Sequence, residues 1–312
     1  MRAPFRRHPL CLLAAALGLL ILSASGPPAG KITDHVGRTV HIPEKIERIV
    51  CLAPSLTECV FALGQGDRVI GATQYADSPP EAARLPRVGS YVNLDLERIV
   101  ALQPDLCLAT RDGNPKSVIQ RLEKVDIPVY ALDPRDLESM LGCLLDLGKV
   151  LQAEPRAAEL VSRLRSRIER VEERVGQAAR RPRVFFQIGI SPIVSAGTNT
   201  FIHELIERAG GVNLAAGPTA YPRYSREEVL VMDPEVIIVT SMSGGGKRLE
   251  QAVRMWQEYS RIEAVRNGRI HAVLADRFNR ASPRLVKGLE RLARLLHPSL
   301  FAASNEEQAK AP

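Results

Sequence analysis

The stretch DLERIVALQPDLCLAT, Asp95 to Thr110, is nearly rewritten 130 residues later as SREEVLVMDPEVIIVT, Ser225 to Thr240. Aligned, Asp95 meets Ser225, Glu97 meets Glu227, Ile99 meets Val229, Pro104 meets Pro234 and Asp105 meets Glu235. Both copies begin with a residue type that caps a helix N-terminus and end in an apolar run of strand character. A chain built this way folds as two related halves. Its 312 residues are enough for two lobes, each with its own core.

The flanking segments follow the same rhythm. RIVCLAPSLTECVFALG predicts a strand from Ile49 to Leu52, a Pro-Ser turn and a helix from about Thr57 that Gly64 ends, with Ser55 and Glu58 at capping-box spacing. RVFFQIGISPIVSAGTNTFIHELIERAGG predicts a strand from Val184 to Ile188, a loop, and a helix from about Thr200 that Gly210 and Gly211 stop. Further apolar runs at 69–72, 106–109, 129–132, 236–240 and 270–274 alternate with helical patterns. That alternation predicts an α/β fold of two similar lobes, each a parallel sheet flanked by helices.

Between the halves, Val161, Leu164, Ile168, Val171 and Val175 form one apolar stripe, and Pro155 suits the first turn. The pattern predicts one long connecting helix over 155–178, packed on the lobes. Two heptads are too few for a coiled-coil dimer, and a monomer is expected. The expected organisation is an N-terminal lobe over 31–150, this helix, a C-terminal lobe over 183–300 and a polar tail over 301–312.

Residues 1–25 have the pattern of an export signal. Arg2, Arg6 and Arg7 are followed by an apolar run from Leu10 to Leu22 and by Ser23-Ala24-Ser25, where cleavage is expected. The apolar run is about 13 residues, short of the ~20 that a membrane-spanning helix needs. Cys11 lies at the start of the run, whereas a lipidation cysteine would follow it. Three of the +7 formal charges belong to this leader, and the remainder are interleaved with glutamates, which argues against nucleic acid as a partner. Cys51, Cys59, Cys107 and Cys143 have no metal or redox spacing.

Glu97 and Glu227 each fall at the second position of a helix, where a carboxylate gains about 0.3–1 kcal/mol from the helix dipole without any partner. One copy needs no further reason. Two copies, one per lobe, are what a two-armed partner requires.

The motifs ERIVALQPDL at 97–106, PRVFFQIGISP at 182–192, YPRYSREEVL at 221–230 and RASPRLVKGLERL at 280–292 resemble a known family. It is the periplasmic substrate-binding proteins of ABC importers with a rigid helical linker, which serve cobalamin, haem and iron–siderophore uptake, and the likeness is greatest to its cobalamin-binding members. The resemblance runs from Arg48 to about Leu295 and implies a ligand clasped between the lobes. It also implies docking of Glu97 and Glu227 onto arginines of a dimeric transmembrane permease, one glutamate per subunit.

The same resemblance places the cleft aromatics on Tyr75, Tyr91 and Tyr221 and polar ligand contacts on Asp276 and Arg280. Asp276 and Arg280 could instead pair with each other. The chain departs from the cobalamin pattern where tryptophans are expected: Tyr91 and Tyr221 are tyrosines and Thr110 is a threonine. A haem or siderophore ligand is the alternative, since haem carriers of this class place a tyrosine or histidine on iron. His203 is a further such group, although beside Glu204 in an amphipathic helix it reads as a satisfied helix histidine.

Enzymatic patterns are not met. SGGGKR at 243–248 has Ser241 and Arg248 where a phosphate-binding loop needs glycine and Ser or Thr. GIS at 189–191 and VGS at 88–90 lack the surroundings of a nucleophile elbow, and the histidines have no metal-ligand spacing. No catalytic cofactor and no resident metal are expected. The alternative from another class is an envelope enzyme on the same two-lobed fold, since fold does not fix function.

Overall fold

The computed structural model describes residues 30–240 and 246–302. The leader at 1–25, the start of SGGGKR and the tail beyond 302 lie outside the described residues.

The N-terminal lobe begins with an antiparallel pair, β1 (Gly30–Thr33) and β2 (Thr39–Ile42). It continues through β3 (Ile49–Cys51), α1 (Pro54–Ala62), β4 (Val69–Ala72), α2 (Leu96–Ala101), β5 (Leu106–Thr110), α3 (Lys116–Glu123), β6 (Val129–Leu132) and α4 (Leu137–Val150). Strands β3 to β6 make a wholly parallel sheet in the order β4-β3-β5-β6. Every residue of β3 and β6 is buried, as a strand covered by helices on both faces requires.

A 22-residue helix, α5 (Glu154–Val175), follows; at 1.5 Å per residue it is roughly 33 Å long. It ends at Gly176, short of Ala178, and buries the stripe of Leu160, Val161, Leu164, Ile168 and Val171.

The C-terminal lobe contains β7 (Arg183–Gln187), β8 (Gly189–Ile190), β9 (Ile193–Val194), α6 (Phe201–Arg208), β10 (Val212–Asn213), β11 (Arg223–Tyr224), α7 (Arg226–Met232), β12 (Val236–Val239), α8 (Gly246–Gln257), α9 (Glu263–Arg266), β13 (Ile270–Ala272), α10 (Asp276–Asn279) and α11 (Arg284–Leu296). Its parallel sheet, β10-β7-β12-β13, repeats the order of the first lobe strand for strand. The duplicated stretch thus corresponds to α2–β5 in one lobe and α7–β12 in the other.

The core has three parts. One apolar cluster runs through both lobes and α5, joining Leu56 and Leu144 to Leu164, Phe186 and Leu289. The other two lie on the opposite face of each sheet, around Ile99 and Leu122 and around Phe185 and Trp256. The indole Nε1 of Trp256 donates to Gln187 Oε1 at 2.6 Å, so even this buried polar pair is satisfied. Gly288 lets α10 close onto α11, because a Cβ there would lie 2.1 Å from the Arg277 carbonyl oxygen. The four cysteines are buried and free, and burial holds the thiols of Cys51 and Cys143 up at about 12, so they behave as small hydrophobes.

Candidate functional site

In each sheet the chain first builds outward to one side (β3 then β4; β7 then β10) and then to the other. The carboxyl ends of β3 and β5, and of β7 and β12, therefore flank a switch point, where open α/β sheets bind ligands.

Buried Asn114 organises the N-terminal rim. Its amide nitrogen donates to Leu52 O at 2.7 Å and to Tyr91 O at 2.8 Å, and its carbonyl oxygen accepts from Thr110 N at 2.8 Å. One side chain so ties the ends of β3 and β5 to the loop carrying Tyr91. Gly113, at φ +115°, leaves room for the Tyr91 ring, which a Cβ there would meet at 2.7 Å. Thr110 turns its hydroxyl onto the Asp112 carbonyl oxygen at 2.9 Å.

Tyr221 stands at the C-terminal rim, just before β11, with 60% of its surface exposed. The phenol is held above its ordinary value by the surrounding bulk of the protein, then by the charges of Asp112 and Tyr91. Its exposure governs access to a ligand, while the bulk around it disfavours the phenolate. The charges of Asp112 and Tyr91, in the N-terminal lobe, are thus felt at Tyr221 in the C-terminal lobe. Tyr75 is 56% exposed in the loop after β4, which Arg87 anchors through the Thr73 and Ala76 carbonyls.

Asp276 and Arg280 belong to a charged cluster that spans the lobes. Arg280 donates to Glu58 and Asp77, each at 2.9 Å, and lies 3.1 Å from Asp276. Glu58 also accepts from the Ser282 hydroxyl at 2.5 Å and from Arg284 at 3.1 Å. Burial, the largest influence on Arg280, disfavours its charge, but the hydrogen bonds it donates to Asp77 and Glu58 outweigh it and the guanidinium stays firmly protonated. Burial likewise raises Asp77, and the Arg280 contact overcomes it, leaving the carboxyl below its ordinary value. Leu137 N, at the start of α4, crosses between the lobes as well, donating to Glu204 Oε2 at 2.8 Å.

The capping-box reading of Ser55 and Glu58 is incorrect. Helix α1 starts at Pro54 after an Ala53 cap with no side-chain hydrogen bond, so Ser55 is already inside the helix and Glu58 is free to turn to the other lobe. Sequence reasoning missed Glu58, Asp77, Ser282 and Arg284. The available signal was an acidic residue among Leu56, Cys59 and Val60, an apolar face where a carboxylate needs a buried partner.

Glu97 and Glu227 are both exposed and make no hydrogen bond or ion pair among the described residues. Their helices are held by other groups: Asp95 Oδ1 accepts from Arg98 N at 3.0 Å, and Ser225 and Glu228 form a reciprocal capping box. The two helix starts are thus satisfied while the adjacent carboxylates remain open to solvent. His203 Nδ1 lies 3.2 Å from Asn213 Nδ2, a satisfied helix position. A cavity of about 640 Å³ bounded by α1, α5 and α11 reaches Glu58 from behind and contains none of the three tyrosines.

The periplasmic binding protein family matches residues 49–275. The vitamin B12-binding protein of Photorhabdus laumondii is 32% identical over 251 residues, covering 80% of this chain and 88% of that protein. The crystal structure of the periplasmic vitamin B12 binding protein of Vibrio cholerae superimposes with a TM-score of 0.71 at 28% identity, over 80% of this chain and 96% of that one. A periplasmic haem-binding protein of Pseudomonas aeruginosa superimposes with a TM-score of 0.75, also at 28% identity, over 82% and 94%.

Proposed function

The chain belongs to the periplasmic binding protein family, and from that premise we propose that it is the solute-binding component of an ABC importer that captures a corrinoid, cobalamin or cobinamide, between its lobes. The observation that carries this reading is the likeness to vitamin B12-binding relatives at 31–32% identity over about four fifths of the chain. The protein is exported to the periplasm, with its signal segment cleaved near residue 25. It works as a monomer, performs no chemistry and holds no catalytic cofactor.

The tyrosines suit such a ligand. A corrinoid offers a broad, partly apolar ring fringed by amides, and Tyr91 and Tyr221 provide flat faces with a hydroxyl each. Tyr75 adds a third face. Arg280 and Asp276 are already paired with each other, so they offer the ring's amides a fixed arrangement of donor and acceptor. Glu97 and Glu227, each without a partner among the described residues, dock onto arginines of the two permease subunits. The planar guanidinium holds a carboxylate through two hydrogen bonds. Helix α5 and the interlobe cluster restrain the lobes, and a small opening motion accompanies release.

Haem is the second reading. It is favoured by the Pseudomonas aeruginosa neighbour and by tyrosines at 91 and 221 in place of the tryptophans of the cobalamin pattern. Calorimetric titration with cyanocobalamin, cobinamide and haemin in parallel decides between them. Saturable one-to-one binding of a corrinoid but not haemin supports the first reading. Haemin binding with a tyrosinate-like visible spectrum moves the assignment to haem, and binding of neither defeats both.

A further inference from the structure

A second concavity, of about 490 Å³, lies on the C-terminal lobe where α5, α10 and α11 meet the end of β13. It is lined by Arg167, Arg277, Lys287, Arg291 and Arg294 and by a single carboxylate, Glu290. That carboxylate is already taken, since Arg167 holds both its oxygens, at 2.8 and 2.7 Å. The side chains of Arg277, Lys287 and Arg291 make no hydrogen bond or ion pair among the described residues. Arg294 has its Nε buried with no hydrogen-bond partner among the described residues.

This arrangement is unfavourable as it stands. Lys287, Arg291 and Arg294 follow one another at helical spacings of four and three, where like charges repel. A solvated helix face relieves such repulsion by letting the side chains spread into water. Here two further arginines, from α5 and α10, close the same concavity, and one buried donor is denied water altogether. A multiply charged anion relieves the repulsion. Guanidinium forks match the terminal oxygens of a phosphate, two at a time. Val273 and Phe278 supply an apolar wall, and Leu274, 59% exposed, stands on the rim. The volume is within the usual range for small-ligand sites and larger than one phosphate needs.

We infer that this groove is an anion site, separate from the interlobe cleft, for a phosphate-bearing molecule with a small apolar part: a soluble phosphate ester or the phosphate headgroup of a lipid. None of the cleft tyrosines lines it, so its occupancy does not depend on the corrinoid reading.

The test uses purified protein and the double variant K287E/R291E. Both side chains are exposed and neither contacts the cleft tyrosines, so folding and cyanocobalamin binding serve as unchanged controls. Pyrophosphate is titrated calorimetrically at low salt, and vesicles of phosphatidylglycerol or of phosphatidylcholine are used in sedimentation. The expected result is saturable one-to-one binding of pyrophosphate, weakened at least about tenfold in the double variant. Binding to phosphatidylglycerol vesicles, lost in the double variant, assigns the phosphate to a lipid; pyrophosphate binding without vesicle binding assigns it to a soluble ester. Absence of both, or binding that survives the double charge reversal, overturns the inference.

Discussion

The carboxylate of Glu58, in the N-terminal lobe, lies 2.5 Å from the hydroxyl of Ser282 in the C-terminal lobe. With Arg280 and Arg284 on the same carboxylate, three donors of one lobe converge on a single acceptor of the other. Glu58 is almost fully buried and Arg280 nearly so, with side chains 4% and 15% exposed. A charge so placed is stable only with its partners. The lobes are therefore joined by α5 and also clamped beside the cleft by an ionic cluster, the arrangement expected of a binding protein that opens little.

Removing the acceptor should be costly. Glu58→Ala leaves Ser282 without its buried partner, while Arg280 keeps Asp77 and Asp276 and Arg284 keeps Asp276 at 3.7 Å. A loss of about 3 kcal/mol is expected, the lower end for breaking a buried ion pair, because two carboxylates remain nearby. Urea midpoints measure it, and small-angle scattering should show a wider mean separation of the lobes. An unchanged midpoint would mean that the clamp is incidental.

Stability should fall as pH drops below neutrality. Burial holds the His297 imidazole below its ordinary 6.5, with the Arg269 charge adding to the effect and the hydrogen bond to Gly210 O opposing it. His271 is lowered for the same first reason. Where the folded value is the lower one, the unfolded chain takes up its proton first, so stability is complete above 6.5 and declines as pH falls through that value towards the folded one. Melting temperatures between about pH 7.5 and 5.5 should show this decline. His297→Gln, which can keep a donor to Gly210, should flatten part of it; an equally steep decline in that variant would exclude His297 as the source.

The parts of this structure that depend on neighbours in sequence were legible beforehand. Asp95 and Ser225 cap their helices as their spacing to the following apolar residues required, and the alternating apolar runs became two parallel sheets of identical strand order. Helix ends were less so: α5 ends after Val175 with Gly176 as its cap, a boundary that the apolar periodicity does not announce. The interlobe cluster was invisible, since Glu58 and Ser282 are 224 residues apart and are brought together only where α1 meets the segment that leads into α11. Local spacing even assigned Glu58 another partner, Ser55. Asn114 was missed for a similar reason, as a loop asparagine shows its backbone partners only once β3, β5 and the Tyr91 loop are assembled.

The rim tyrosines should carry binding through their faces. Tyr91→Ala and Tyr221→Ala are each expected to weaken cyanocobalamin binding about tenfold, or ~1.4 kcal/mol. Tyr→Phe at either position should lose much less, because the ring remains. Calorimetry measures both series. If the phenylalanine variants lose as much as the alanine variants, the hydroxyl is the working group, and an iron-ligating role at the haem-type site becomes the better account.

The two glutamates should separate transport from binding. Glu97 and Glu227 are exposed and unpaired among the described residues, so reversing their charge removes no contact seen there, and the effect on stability should stay within about 0.5 kcal/mol. Asp95 and Ser225 retain the caps of α2 and α7, which keeps both helices in place. Glu97→Lys with Glu227→Lys should therefore bind cyanocobalamin as the unaltered protein does. Transport is a different matter, because a lysine facing an arginine of the permease replaces attraction by repulsion and penalises the docked complex. Uptake of labelled cobalamin by vesicles containing the permease should be abolished in the double variant and reduced in each single one. Rescue by a permease whose matching arginines are changed to glutamate would establish the contact in both directions. Normal uptake by the double variant would remove these residues from the docking surface and leave the duplicated helix start with only its local role of capping.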